Sequence, residues 1–123
     1  MENSKKRILI AEDELPLAKA LDLKLKSVGF DVVVTHNGDE ALDALKEGHF
    51  DILLVDLMMP KRDGFSVLQE LKGKEAPPIF VMSNLGQDED MKRATDLGAK
   101  DYIVKSNTPL SAIVEKVKTL LNA

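Results

Sequence analysis

The chain has 123 residues, a formal net charge of −4 and no cysteine, so it is long enough to bury a core as one domain (residues 1–123) without disulfides or a cysteine-based metal site. Acidic and basic residues are interleaved, and one tyrosine with four phenylalanines supplies neither the basic face that a phosphate backbone calls for nor the aromatic platforms that single-stranded bases need; the expectation is no nucleic-acid partner. No apolar run approaches the ~20 residues of a membrane span, and no apolar stretch follows the charged opening Met1–Arg7 in the manner of a leader. A cytoplasmic protein with no membrane partner is expected.

In chain order, Arg7–Ala11 reads as a first strand. Leu15, Ala18, Leu21, Leu25 and Val28 then recur at helical spacing, with Pro16 in the first turn and Gly29 as the stop. Val32–Val34 is a second strand. Asn37 can cap the next helix, which turns Ala41, Leu42 and Leu45 inward and ends at Gly48. After the strand Asp51–Val55, Asp63 or Gly64 opens a helix through Phe65, Leu68 and Leu71. The Pro77-Pro78 turn precedes a fourth strand, Ile79–Met82, and a more polar helix runs from Asp88 to Leu97, where Gly98 ends it. Tyr102–Val104 is the fifth strand. Thr108 as cap and Pro109 in the first turn start a last helix whose stripe is Leu110, Ile113, Val114, Val117, Leu120 and Leu121. No linker or repeat appears, and no output domain is expected.

Alternating strands and helices argue for βα units around a parallel sheet. Several strands are apolar at successive positions, so helices must cover both faces. The fold class is therefore α/β, a three-layer α/β/α sandwich on a five-stranded parallel sheet.

Four of the apolar strands end on polar groups suited to phosphate chemistry: the first on Glu12 and Asp13, the third on Asp56, the fourth on Ser83 and the fifth on Lys105. Ligands of open α/β sheets bind beyond these carboxyl ends. Three carboxylates held together repel unless a cation joins them, and magnesium, which takes oxygen ligands and retains waters, suits such a set. A carboxylate can also be a nucleophile that forms an acyl phosphate. Asp56 suits that role because it stands alone at its strand end, before a loop able to offer a backbone carbonyl to the metal. Glu12 and Asp13 are then metal holders, Lys105 a second positive charge and Ser83 a hydroxyl donor. Taken singly, such residues more often cap helices or face solvent, Tyr102 reads as half-buried packing, and Met58 and Met59 read as adaptable loop hydrophobes. It is the four strand ends together that favour a site.

With Glu12-Asp13, Asp56-Leu-Met-Met-Pro60, Asp63-Gly64, Ser83, Gly98-Ala99 and Tyr102 three before Lys105, the chain resembles the receiver domain of bacterial two-component response regulators over nearly its full length. The resemblance implies the flavodoxin-like, CheY-like strand order 2-1-3-4-5. It also implies that Asp56 accepts a phosphoryl group from a histidine kinase or phosphotransfer protein. Asp13, Asp56 and the Met58 carbonyl would bind Mg2+ with Glu12 assisting, Ser83 and Lys105 would contact phosphoryl oxygens, and Tyr102 would turn inward as Ser83 moves. Output would pass to a protein partner through the fourth helix, fifth strand and fifth helix. Met91 and Glu115 stand where the winged-helix class carries basic residues, so a monomer or weak dimer is expected.

Such a stand-alone receiver is not an enzyme beyond promoting its own phosphorylation and dephosphorylation. Two rivals differ in class. A haloacid-dehalogenase-type phosphohydrolase needs a second aspartate two residues after its nucleophile, where this chain has Met58; an unphosphorylated interaction module would not need the full set of site residues. Two positions depart from the family pattern: Asn84 where a small residue is usual, and Ser106 where proline follows the lysine through a cis bond. Without proline a cis bond costs roughly 3 to 4 kcal/mol, so a trans bond is expected at Lys105-Ser106.

Overall fold

The computed structural model describes residues 5–121; the start of the charged opening read from sequence above, Met1–Ser4, lies outside them. The elements are β1 (Arg7–Ala11), α1 (Leu15–Ser27), β2 (Asp31–Thr35), α2 (Gly38–Glu47), β3 (Ile52–Asp56), α3 (Gly64–Leu71), β4 (Ile79–Ser83), α4 (Asp88–Asp96), β5 (Ala99–Val104), a short 3-10 turn (Lys105–Asn107) and α5 (Leu110–Leu120). The five strands are parallel in the order β2-β1-β3-β4-β5. This is the CheY-like, flavodoxin-like order.

The two faces of the sheet carry separate apolar layers, because successive strand residues point to opposite sides. Ile8, Ile10, Ile52, Leu54, Phe80 and Met82 pack with Leu21 and Leu25 of α1 and with Ile113, Val114 and Val117 of α5. Leu9, Ala11, Leu53, Val55, Ile79 and Val81 meet Ala41 and Leu42 of α2, Phe65, Val67 and Leu68 of α3, and Ala94 of α4. Each fully buried large side chain contributes about 1.5–3 kcal/mol, so the sheet is anchored from both sides. Every position of β3 and β4 is buried, which holds the ends of these central strands rigid.

Local signals explain most boundaries. The Asn37 side chain accepts the Glu40 amide at 2.9 Å while Glu40 reaches back to the His36 amide at 2.9 Å, a reciprocal cap of α2. Asp63 caps α3 by accepting the Ser66 amide at 2.8 Å. Gly98, with φ 110, ends α4 in the left-handed region that a side chain resists.

Two expectations are corrected. Leu15 and Val28 are 62% and 39% exposed: α1 buries Ala18, Leu21 and Leu25, Leu15 lies off to the side of that stripe, and Val28 is already past the last helical turn. Thr108 does not cap α5. Its hydroxyl donates to the Val104 carbonyl at 2.9 Å, and Pro109 occupies the cap position with no side-chain bond.

Candidate functional site

The register assembles the site. β1 lies beside β3, with Ala11 level with Val55, so the residues following β1 arrive next to Asp56. Asp56 in turn pairs with Met82, and Ser83 with Val104. All the predicted residues except Tyr102 therefore meet at one end of the sheet, where Asp13, Asp56, Met58 and Lys105 line a cavity of about 280 Å³ together with Glu14, Asn84 and Leu85. Glu12, Asp13 and Asp56 each present a carboxylate oxygen, all within 4.8 Å of one another.

Asp56 is 2% exposed. One of its oxygens, Oδ1, accepts the Met58 amide at 3.1 Å, and the other, Oδ2, accepts Lys105 Nζ at 2.8 Å. The loop after β3 makes this possible: the Gly64 amide donates to the Leu57 carbonyl at 3.0 Å, and a Cβ on Gly64 would fall 2.5 Å from the Asp56 carbonyl oxygen, so only glycine lets α3 begin this close. Lys61, in the same loop, takes φ 66, a left-handed conformation that nothing in its residue type announces.

Lys105 Nζ also donates to both oxygens of Glu12, at 3.0 and 3.2 Å, and to Glu14 Oε1. Burial works against its charge, yet the bonds to Asp56, Glu14 and Glu12 outweigh that and hold the lysine pKa above its ordinary value. Glu12 is fully buried. Burial first, and the nearby Asp56 charge next among the effects that raise it, push its carboxyl up to about 7, against the pull of the Glu14 amide and Lys105. An all-oxygen donor set with this much crowded negative charge fits a hard divalent cation.

Ser83, also fully buried, accepts the Leu85 amide at 3.2 Å, and the Tyr102 hydroxyl donates to the carbonyl of the same Leu85. Burial raises the Tyr102 pKa, which keeps the phenol a donor. One residue thus joins the two groups that the sequence reading treated as a switch. Glu14, the residue just before α1, was not singled out from the sequence, and its contact with Lys105 spans 91 positions. Among the described residues no peptide bond is cis, so the Lys105-Ser106 bond is trans as expected.

The family model "Response regulator receiver domain" matches residues 8–118. This chain belongs to that family. The receiver is 36% identical over 121 residues to the "Probable transcriptional regulator ycf27" of Cyanophora paradoxa, covering 98% of this chain and 50% of the relative. Among solved structures it is similar to the Francisella response regulator 1452 receiver domain, with TM-score 0.89, 28% identity and coverage of 96% of this chain and 98% of that one. It is also similar to the phosphorylated cyanobacterial phytochrome response regulator RcpA, with TM-score 0.86, 28% identity and coverage of 98% and 96%. The receiver spans about half the length of the curated relatives it matches.

These relatives correct one expectation. They are named transcriptional regulators, so the exclusion of nucleic acid as a partner does not stand. The acidic balance and scarce aromatics bear only on direct contact by these 123 residues. No described helix of the receiver is long and apolar enough to cross a membrane.

Proposed function

We propose that the receiver accepts a phosphoryl group on Asp56 from a histidine kinase or phosphotransfer protein and changes conformation to regulate an output partner. The observation that carries this reading is the aim of Asp56: Oδ1 is held by the Met58 amide and Oδ2 faces Lys105 Nζ at 2.8 Å, at the mouth of a cavity ringed by carboxylates. An Asp56 oxygen attacks phosphorus while the bond from phosphorus to the donor's leaving atom, an imidazole nitrogen or an acetate oxygen, breaks; the product is an acyl phosphate. Asp13, Asp56 and the Met58 carbonyl would hold Mg2+, with Glu12 assisting. When bound, Mg2+ supplies the positive charge that offsets what builds on the transferring group.

Lys105 contributes a fixed, charged donor for the phosphoryl oxygens, and Ser83 a hydroxyl whose O–H donates to them while its oxygen accepts the Leu85 amide. A movement of Ser83 toward the phosphoryl group carries Leu85 with it, and the Leu85 carbonyl holds Tyr102, so the phenol and the α4–β5–α5 face respond together. Phosphorylation in this scheme biases a pre-existing equilibrium rather than creating a new fold. The names of the relatives support an output in transcriptional control. The receiver's own chemistry is limited to gaining and losing its phosphoryl group.

The test is incubation with acetyl phosphate and Mg2+ followed by intact mass measurement. One added phosphate is expected on the wild-type chain and none on Asp56→Asn, which keeps the shape and loses the nucleophilic charge. Labelling of that variant to the wild-type level would move the acceptor elsewhere.

A further inference from the structure

We infer that Asn84 is a positioning residue for Lys105, acting through a hydrogen bond from the Ser106 amide to its side-chain oxygen that replaces the restraint a proline would impose. The inference rests on the phosphoacceptor reading of Asp56. Ser106 N donates to Asn84 Oδ1 at 3.0 Å across 22 positions. Because the partner is an N–H, the amide must present its oxygen, which fixes the orientation of Asn84.

The place of this bond gives it its effect. The β4–β5 ladder ends at the pair Ser83 and Val104, and the two chains then diverge, one into the loop before α4 and the other into the 3-10 turn that carries Lys105. The Asn84–Ser106 bond joins them immediately past the last ladder pair. On its far side the turn is tied by the Thr108 hydroxyl to the Val104 carbonyl at 2.9 Å and by the Thr108 amide to the Lys105 carbonyl at 3.3 Å. On its near side Asn84 is the side chain that holds it. Lys105 must reach Asp56 from this turn with a side chain that is 7% exposed, so a change in the turn's tilt is carried directly to Nζ.

A proline at position 106 would fix its own φ and offer no N–H. A serine there is freer and brings a donor, and Asn84 answers both needs at once. The two departures from the family pattern are thus one paired exchange, made across the two loops that flank the phosphorylation site.

The experiment is a double-mutant cycle on the full chain: wild type, Asn84→Ala, Ser106→Pro and the double variant, each reacted with acetyl phosphate and Mg2+. A hydrogen bond of ordinary net strength is worth about fivefold in rate. Asn84→Ala is expected to lower the maximal phosphorylation rate by about that factor in the wild-type background and by less than about twofold in the Ser106→Pro background, where no donor exists. Mg2+ affinity should stay at the wild-type value, because the carboxylate cluster is untouched; general loosening of the site would lower it as well. The Ser106 amide proton resonance should move upfield in Asn84→Ala as its acceptor is lost. Equal rate losses in both backgrounds, with a normal wild-type reaction, overturn the clasp alone. Absence of labelling in the wild-type chain overturns the phosphoacceptor reading and the clasp's role with it.

Discussion

The two ends of the sheet treat charge in opposite ways. At the amino end, Arg7 pairs with Asp31 at 3.2 Å with side chains 35% and 53% exposed, and lies 4.5 Å over the Phe50 ring. At the carboxyl end, Lys105 pairs with Glu12 and Asp56 with exposures of 7% against 0% and 4%. Exposed pairs of the first kind are worth about 0–1 kcal/mol. Burying the second kind costs several kcal/mol per ion, only partly returned by the attraction. A fold selected for stability alone would place leucines at those strand ends. Charge kept where it is most expensive fits the end of the sheet at which we propose the phosphoryl chemistry.

The largest test of that contrast removes the buried cation. Lys105→Met keeps the apolar stem but leaves Glu12 and Asp56 facing each other without their buried partner, and is expected to cost about 3–5 kcal/mol in denaturant unfolding without metal. The matching change at the other end, Asp31→Ala, should cost under about 1 kcal/mol. Similar losses at both ends would erase the distinction.

Asp13→Ala should weaken Mg2+ binding by about tenfold or more while leaving the fold intact, because one of the clustered carboxylates is lost and repulsion among the rest is relieved. Calorimetric titration with unchanged affinity would count against Asp13 as a ligand.

The pH dependence sharpens the comparison further. Glu12 has its carboxyl raised from 4.5 to about 7 in the folded chain, so the folded state holds this proton more tightly than the unfolded one. Its contribution to stability therefore falls as pH rises from about 4.5 through 7 and is flat above that. Mg2+ competes with the same proton. The upward shift in Tm produced by Mg2+ should grow across that window, and Glu12→Gln should flatten the growth; a shift that is the same at pH 5 and pH 8 would contradict the buried-acid account.

The smallest effect concerns the loop. Lys61 sits at φ 66, which costs a side chain roughly 1–2 kcal/mol, and glycine returns part of that against its greater unfolded freedom. Lys61→Gly should stabilise the chain by about 0.5–1 kcal/mol, measured by thermal melting.

The strands, their parallel pairing and the polar groups at the ends of four of them were legible in the sequence. Runs such as Ile52–Val55 and Ile79–Met82 are apolar at every position, and that pattern demands helices on both faces and a doubly wound sheet. The caps at Asn37 and Asp63 were legible for the same reason: they act within three residues of themselves. Leu15, by contrast, matches the helical spacing and still faces solvent, because only the neighbouring strands decide which part of a stripe is covered. Glu14 carries no local signal, and Asn84 stands out in the sequence only as a departure from the family pattern. Their partners, Lys105 and Ser106, lie 91 and 22 positions away, and it is the crossover order β2-β1-β3-β4-β5 that brings those loops together. Short-range propensity and apolar periodicity determined the scaffold and the chemistry at its edge, whereas which carboxylate grips the lysine and which side chain holds its turn were decided by packing between distant segments, a contact that no local pattern encodes.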